Sequence, residues 1–482
     1  MTHSRMHPPP AGVTVGPQGS CRRMHSTAPR SFSERFRADA GAILRLGAPL
    51  LVNNLSMGGM SFADTVMGGR LGPEALAAIA VGVSYYAVFW IIGIGVTMAL
   101  SPLVAHAYGR GDSHGVGEYA RQGVWIAAGL SVLLVLGLSA VRPALALIHT
   151  DPAILGDASG YVHAMAFGFP AMVGFMVLRF VSEGIGRTKP MAYVASLGLA
   201  TNVFFNWVFM YGKLGAPALG AVGTGVATAL VWWVMLIALL IYMSRHPAYR
   251  PYRIFAPLER PVAARLKEIL ALGVPISGSL VAEGGLFSAA GLMIGTLGAA
   301  RVAAHQIALN YASFMFMVPM AMHSATTIHV GHALGRGDWR HARFAGLVGI
   351  GLCGALMVLS ALWVFLESGF IASLYTRDPE VLGLATSLLL LAGAFQVSDG
   401  LQVGAAGALR GFKDARVPLL ICVASYWGVG FPLAFGFGVI RGGGPAAVWY
   451  GLIAALTVCA LGLGVRFLYV SRAPRREAAA SL

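Results

Sequence analysis

Long apolar runs separated by short polar turns dominate the chain. Six runs fall at roughly 42–66, 75–106, 123–141, 159–182, 190–210 and 219–243. After a polar, arginine-rich stretch, six more follow at roughly 266–296, 302–332, 343–366, 381–408, 417–438 and 446–470. An α-helix needs about 20 mostly apolar residues to cross a bilayer core, so each run predicts one transmembrane helix. Barrel strands would instead alternate apolar and polar positions. The pattern predicts an all-α membrane protein of twelve transmembrane helices.

The pattern also carries an internal repeat. A shift of 226 residues pairs Gly47-Ala48-Pro49 with Gly273-Val274-Pro275, and Leu71-Gly72 with Leu297-Gly298. The same shift pairs Ala77-Ala78 with Ala303-Ala304, and Gly109-Arg110-Gly111-Asp112 with Gly335-Arg336-Gly337-Asp338. Each repeat holds six helices, so both halves enter the membrane from the same side. Parallel repeats of this kind are related by an axis along the membrane normal, with the substrate site between them near the midplane. The expected organisation is a disordered tail (1–38), an N-lobe (39–243), a linker (244–265), a C-lobe (266–470) and a C-terminal tail (471–482). In the Gly-Arg-Gly-Asp turns, glycine permits the tight reversal, and Asp112 and Asp338 are placed to cap the helices that follow.

Composition agrees with burial in lipid. Of 482 residues, 57% are hydrophobic and 11% charged, where soluble domains carry roughly 25% charged residues. No large soluble domain fits between the spans. The net charge of +15 does not read as a nucleic-acid surface, because the basic residues lie between apolar runs instead of on one exposed face. They sort by loop instead. Arg70, Arg142, Lys213, Arg301, Arg377 and Arg441 fall on one side. Both termini, Arg110, Arg121, Arg187, Lys189, the run Arg245 to Lys267, Arg336, Arg340, Arg343, Arg410, Lys413 and Arg416 fall on the other. Lys and Arg collect in cytoplasmic loops, so both termini are expected in the cytoplasm. The four cysteines have no metal or redox spacing. No nucleophile–base or metal motif of an enzyme is present either.

Charge inside an apolar span costs at least ~2.5–3.5 kcal/mol at the bilayer centre, which makes intramembrane carboxylates functional candidates. Three stand out: Asp64 in the first span, Glu283 in the seventh and Asp399 in the tenth. The repeat places Ala290 opposite Asp64, so the acidic equipment differs between halves. Glu283 and Asp399 share the C-terminal half, where two carboxylates do not both stay ionised without a shared proton or cation. Asn202 and Asn206, one helical turn apart, are candidates to line an N-lobe cavity. Arg179 and Glu183 are spaced for a helix-face ion pair. His106, His305, His323 and His329 are candidates for proton relay or for packing.

At these residues the chain resembles the multidrug and toxic compound extrusion (MATE) family, in its NorM-like branch. The matching residues are Phe62-Ala63-Asp64-Thr65, Lys189-Pro190, Asn202 to Asn206 with Tyr211-Gly212-Lys213, and Glu283 with Phe287. Ala303-Ala304-His305-Gln306, Gly331-His332 to Gly335, Asp399, and Leu409-Arg410-Gly411-Phe412-Lys413-Asp414 complete the ordered set, which spans residues 41 to 470. The resemblance implies two six-helix pseudo-symmetric lobes in a V, in a bacterial inner membrane, alternating between inward- and outward-open states. It implies export of organic cations and amphipathic drugs in exchange for H+ or Na+, with no other cofactor and no partner beyond the bilayer, as a monomer. Glu283 and Asp399 match the family's C-lobe cation site, where a coupling Na+ would sit, and Asp64 its N-lobe acidic residue. Asn202, Asn206, Phe287, Phe395 and Gln306 are the expected substrate-cavity residues. Position 395 is Phe where the family carries Tyr, which removes an oxygen and leans towards protons. The competing function is a flippase for a lipid-linked sugar or cell-wall precursor. A cavity for pyrophosphate would carry Arg and Lys, whereas the mid-membrane charges here are acidic.

Overall fold

The computed structural model describes residues 31–147 and 149–472. Over these residues the chain forms twelve long helical stretches. We number them α1 (Phe32–Gly69), α2 (Pro73–Gly109), α3 (Ser113–Ser139), α4 (Pro152–Gly184), α5 (Lys189–Tyr211) and α6 (Gly220–Arg245). The second half continues with α7 (Ala263–Gly295), α8 (Ala299–Gly335), α9 (Trp339–Ser373), α10 (Pro379–Gly411), α11 (Arg416–Ile440) and α12 (Gly444–Val470). Ten of these are long and apolar enough to cross a membrane by composition alone. The other two, α1 and α8, carry more polar residues, including Asn53, Asn54, His323 and His329, and they pack on each other.

Helix ends differ from the apolar runs because caps, not hydropathy, set them. Helix α1 starts at Phe32, ahead of the tail boundary expected at residue 39. A capping box does this: Ser31 Oγ accepts from Glu34 N–H, and the Glu34 carboxylate accepts from Ser31 N–H. The remainder of the expected tail, residues 1–30, lies outside the described residues, as does most of the C-terminal tail. Helix α3 starts ten residues before its apolar run because Asp112 caps it through Gly115 N–H at 2.7 Å. Asp338 caps α9 in the same way through His341 N–H at 2.9 Å. Gly111 and Gly337 hold φ of 74° and 78° in the two equivalent turns, a region open to glycine at little cost.

The repeat visible in the sequence is the symmetry of the packing. Helix α1 packs on α8, and α2 on α7. Gly47 in α1 faces Met322 in α8, while its repeat partner Gly273 in α7 faces Val96 in α2. Val96 and Met322 are themselves 226 residues apart. On the pseudo-axis Gly109 and Gly335 touch backbone to backbone. These inter-lobe contacts gather towards the end of the bundle where both termini lie. There the linker is strapped to α3. Arg121 donates to the Arg253 carbonyl at 2.8 Å and pairs with Glu259 at 2.6 Å, and the Gln122 amide bonds Arg260 and Val262.

Helix α2 is interrupted at Met98–Ala99, and α9 kinks at Glu367 (φ −123°, ψ 22°). The longest departure from regular α geometry lies in α11. Helix α11 is interrupted by π-helical turns at Ala424–Gly430 and Gly436–Ile440. Such turns recur at functional sites, and this one turns Tyr426 inward, where it is 1% exposed.

Candidate functional site

In the N-lobe, Asp64 lies near the far end of α1 and is held in a cradle of neutral donors. Its Oδ1 accepts from Asn206 at 2.6 Å and from Asn202 at 3.1 Å, both on α5. Thr228 on α6 reaches Oδ2 at 3.4 Å. Asn206 also bonds Asn202 at 3.2 Å, which fixes the pair one turn apart on the same face. Both asparagines are fully buried. Their donors are thus turned to Asp64, and no Lys or Arg pairs with this carboxylate among the described residues. The Asn206 carbonyl oxygen is left without a partner. The outcome is a carboxylate solvated by protein amides, with an acceptor to spare.

The C-lobe pair is built by two antiparallel helices with matching spacing. Each presents a carboxylate and, one turn further from the terminal end, an aromatic ring: Glu283 with Phe287 on α7, and Asp399 with Phe395 on α10. The two rings meet edge to face at 5.8 Å between centroids. Phe395 is in turn packed on Trp449 at 5.7 Å. The Trp449 indole N–H donates to His305 at 3.2 Å. Below this aromatic layer Glu283 accepts from the Gln402 amide at 3.3 Å, and Gln402 follows Asp399 by one turn. Glu283 and Asp399 lie within coulombic range of each other. Two buried oxygens here have no partner, Gln402 Oε1 and the Tyr426 hydroxyl.

The structure therefore brings Asp64, Asn202 and Asn206 into one group, and Glu283, Asp399, Phe287 and Phe395 into another. Gln306 joins neither: it is exposed, and among the described residues it hydrogen-bonds neither carboxylate. Phe395 is buried between two other rings, so in this conformation it is wall and not open surface. Sequence reading missed Trp449, Gln402 and Tyr426. The first two fill the face opposite a named candidate, which needs three-dimensional register to see. The inward turn of Tyr426 depends on a π-helical step that hydropathy does not report.

Arg179 and Glu183 form the expected i, i+4 pair at 2.6 Å, and both are buried. Asn53, with its amide oxygen turned inward, accepts from both terminal guanidinium nitrogens at 3.2 Å. Glu183→Ala would leave a buried guanidinium without its counter-charge, which typically costs about 3–5 kcal/mol. The variant is expected to unfold at a clearly lower temperature, and Arg179→Met with Glu183→Leu is expected to recover most of the loss. A thermal-unfolding series on the purified proteins measures this; a double variant as unstable as the single one would refute it.

The histidines named as relay candidates are each engaged. His106 Nε2 meets the Gly411 carbonyl at 2.7 Å, and His323 lies between the Val403 carbonyl and Arg410. His305 takes the indole of Trp449, and His329 reaches Asp39.

Comparison with known proteins agrees with this architecture. The MatE family model matches residues 49–208 and again residues 275–435, two matches whose starts are 226 residues apart. The chain is 38% identical over 447 residues to a probable multidrug resistance protein NorM of Xanthomonas axonopodis pv. citri, covering 93% of this chain and 98% of the relative. It is 37% identical over 461 residues to the multidrug resistance protein PmpM of Pseudomonas aeruginosa, covering 94% and 96%. The crystal structure of the eukaryotic MATE transporter AtDTX14 superposes with a TM-score of 0.83, at 20% identity over 91% of this chain and 98% of that one. An outward-facing multidrug resistance MATE transporter of the MOP superfamily gives 0.81, at 20% identity over 92% and 100%. Such identities speak for the fold, while the curated relatives and the doubled family match speak for the lineage. The chain is a multi-pass membrane protein, a transporter and not an enzyme, and it belongs to the MATE family of multidrug efflux transporters.

Proposed function

We propose that the protein exports organic cations and amphipathic drugs in exchange for an inward-moving cation, by alternating access in a bacterial inner membrane with both termini cytoplasmic. One observation supports this reading: each lobe holds a carboxylate inside the bundle that no Lys or Arg side chain hydrogen-bonds among the described residues, Asp64 half-buried in the N-lobe and Glu283 half-buried near the buried Asp399 in the C-lobe. Buried ionised carboxylates are costly unless a cation or proton accompanies them. Binding that cation neutralises the site, and releasing it restores the charge, so ion movement and lobe conformation are linked through one group. Organic cations would be drawn to the same acidic interior, and the partly exposed Phe287 ring would offer them a π-face.

The chemistry favours the proton as coupling ion. Sodium prefers a shell of oxygens, and Phe395, one helical turn from Asp399, has no hydroxyl to add to it. A proton needs a single lone pair. The test is ethidium efflux from liposomes holding the purified protein, with an imposed pH gradient compared with an imposed Na+ gradient. Efflux driven by the pH gradient alone is the expected result. Efflux driven by Na+ alone would overturn the ion assignment, and no movement of any cationic dye under either gradient would overturn the exporter. Transport of a lipid-linked pyrophosphate by the same liposomes would favour the flippase.

A further inference from the structure

Asp39, His329 and His341 converge at the terminal end of the bundle, outside both carboxylate groups. Asp39 belongs to α1 in the N-terminal half, and the two histidines belong to α8 and α9 in the C-terminal half. Nε2 of each histidine lies 2.9 Å from the same Asp39 Oδ1. The two imidazoles meet edge to face at 5.4 Å. All three ligating atoms lie within 4.8 Å of one another. Asp39 is buried, while the His341 side chain is 31% exposed and leaves a path for entry.

The repeat makes this place unusual. The residue equivalent to Asp39 is Arg265 on α7, which also reaches across to the other lobe. Arg265 meets Glu118 at 2.9 Å, and Glu268 next to it takes Tyr119 at 2.7 Å and Lys413 at 3.2 Å. One side of the seam is thus closed by permanent charges. The other side holds two imidazoles and a carboxylate, a donor set that suits zinc and its neighbours in the transition series.

We propose that Asp39, His329 and His341 form a binding site for a divalent transition-metal ion, of which Zn2+ is the probe, and that the bound ion locks the two lobes together at this end. Zinc binds imidazole nitrogen and carboxylate oxygen at about 2.0–2.2 Å, which sets neighbouring tetrahedral ligands about 3.3 Å apart. The present separations of 2.9 Å are a few tenths of an ångström short of that. An ion therefore enters as each neutral imidazole adopts the tautomer with its hydrogen on Nδ1, which frees the Nε2 lone pair for the metal. The side chains move slightly and a water fills the fourth position. The charged neighbours of His341 are Arg336 and Asp338, opposite in sign. Because the ligands come from both lobes, parting this end removes Asp39 from the histidines and destroys the site. An ion that binds only one state shifts the equilibrium towards that state. Zn2+ is thereby an inhibitor whose action depends on conformation.

The experiment uses the full chain with its affinity tag removed, in detergent, and reads Zn2+ directly by equilibrium dialysis. It compares wild type with the double variant His329→Gln and His341→Gln, whose amides still donate to Asp39 but do not serve as zinc ligands of comparable strength. Spin labels at His114→Cys and Arg340→Cys, in a Cys21→Ser background, report the distance between the lobes at this end. Wild type is expected to bind one Zn2+ that the variant loses, with affinity falling more than about 100-fold, beyond the loss of an outer-sphere partner. Zn2+ is expected to collapse the spin-label distances of wild type to the short one and to leave the variant's distribution unchanged. Equal binding by the two proteins overturns the site. Binding to wild type with an unchanged distance distribution overturns the lock. Neither readout involves transport, so this inference stands or falls separately from the drug-export reading.

Discussion

Replacing Asp399 with asparagine is expected to cut gradient-driven dye efflux by about 100-fold, within the range that a coupling energy of ~1–3 kcal/mol spans, while dye binding persists. Asp399 is buried, and among the described residues no side chain donates a hydrogen bond to it. An asparagine has nearly the same shape, so the aromatic layer of Phe395, Phe287 and Trp449 has no reason to move. The chemical difference is that the amide neither takes up nor releases the coupling ion. The imposed gradient then has no group through which to act. Glu283→Gln is expected to act in the same direction but less completely, since Gln402 can still donate to its carbonyl oxygen. The measurement pairs efflux under an imposed gradient with fluorescence-polarisation binding of ethidium, for both variants and wild type. If Asp399→Asn keeps the wild-type driven rate, coupling does not run through this carboxylate. If binding vanishes together with efflux, Asp399 is a substrate ligand first.

The spans were legible because bilayer thickness imposes a length and an apolarity that no other context requires together. The halves were legible because duplication leaves glycines and prolines in constant register. Gly47 and Gly273, Gly111 and Gly337 are held there by contacts or by φ values that few residues tolerate. The candidate carboxylates stood out because charge is rare in these spans. What stayed hidden was anything decided by contact between distant segments. Asn202 and Asn206 were visible as a polar pair, but their shared attachment to Asp64 spans 138 and 142 residues. The partners of Asp39 lie 290 and 302 residues away, and nothing local to residue 39 marks it. The helix start at Phe32 was missed for the opposite reason, while the caps at Asp112 and Asp338 were legible from the turns that hold them. The cause at Phe32 is a local cap, which extends the helix beyond the apolar stretch into water.

Gly335→Val, and equally Gly109→Val, is expected to stop turnover without unfolding the protein. The two glycines are repeat partners at the pseudo-axis, and a side chain on either one meets backbone on the opposite helix. At Gly335 it would strike the His106 carbonyl and Gly109 Cα; at Gly109, the His332 carbonyl and Gly335 Cα. Hydrogen-bonded backbone atoms in the last turn of a helix do not step aside as a flexible side chain does, so the helices must separate. The same carbonyl turns flank His106 and His332, which reach across to the Gly411 and Gly184 carbonyls at 2.7 Å each. Separation therefore breaks both cross-lobe bonds at once. Overpacking of this sort typically costs about 1–3 kcal/mol, and every 1.4 kcal/mol is about tenfold in population. On the alternating-access reading proposed above, that cost falls on the state in which this end is closed. Alternating access then stalls with the terminal end open. Spin labels at positions 114 and 340 are expected to show the longer distance in Gly335→Val, alongside lost efflux and a retained cooperative thermal transition. A variant that transports normally with the wild-type distance would show that close approach of the two glycines is not part of the cycle.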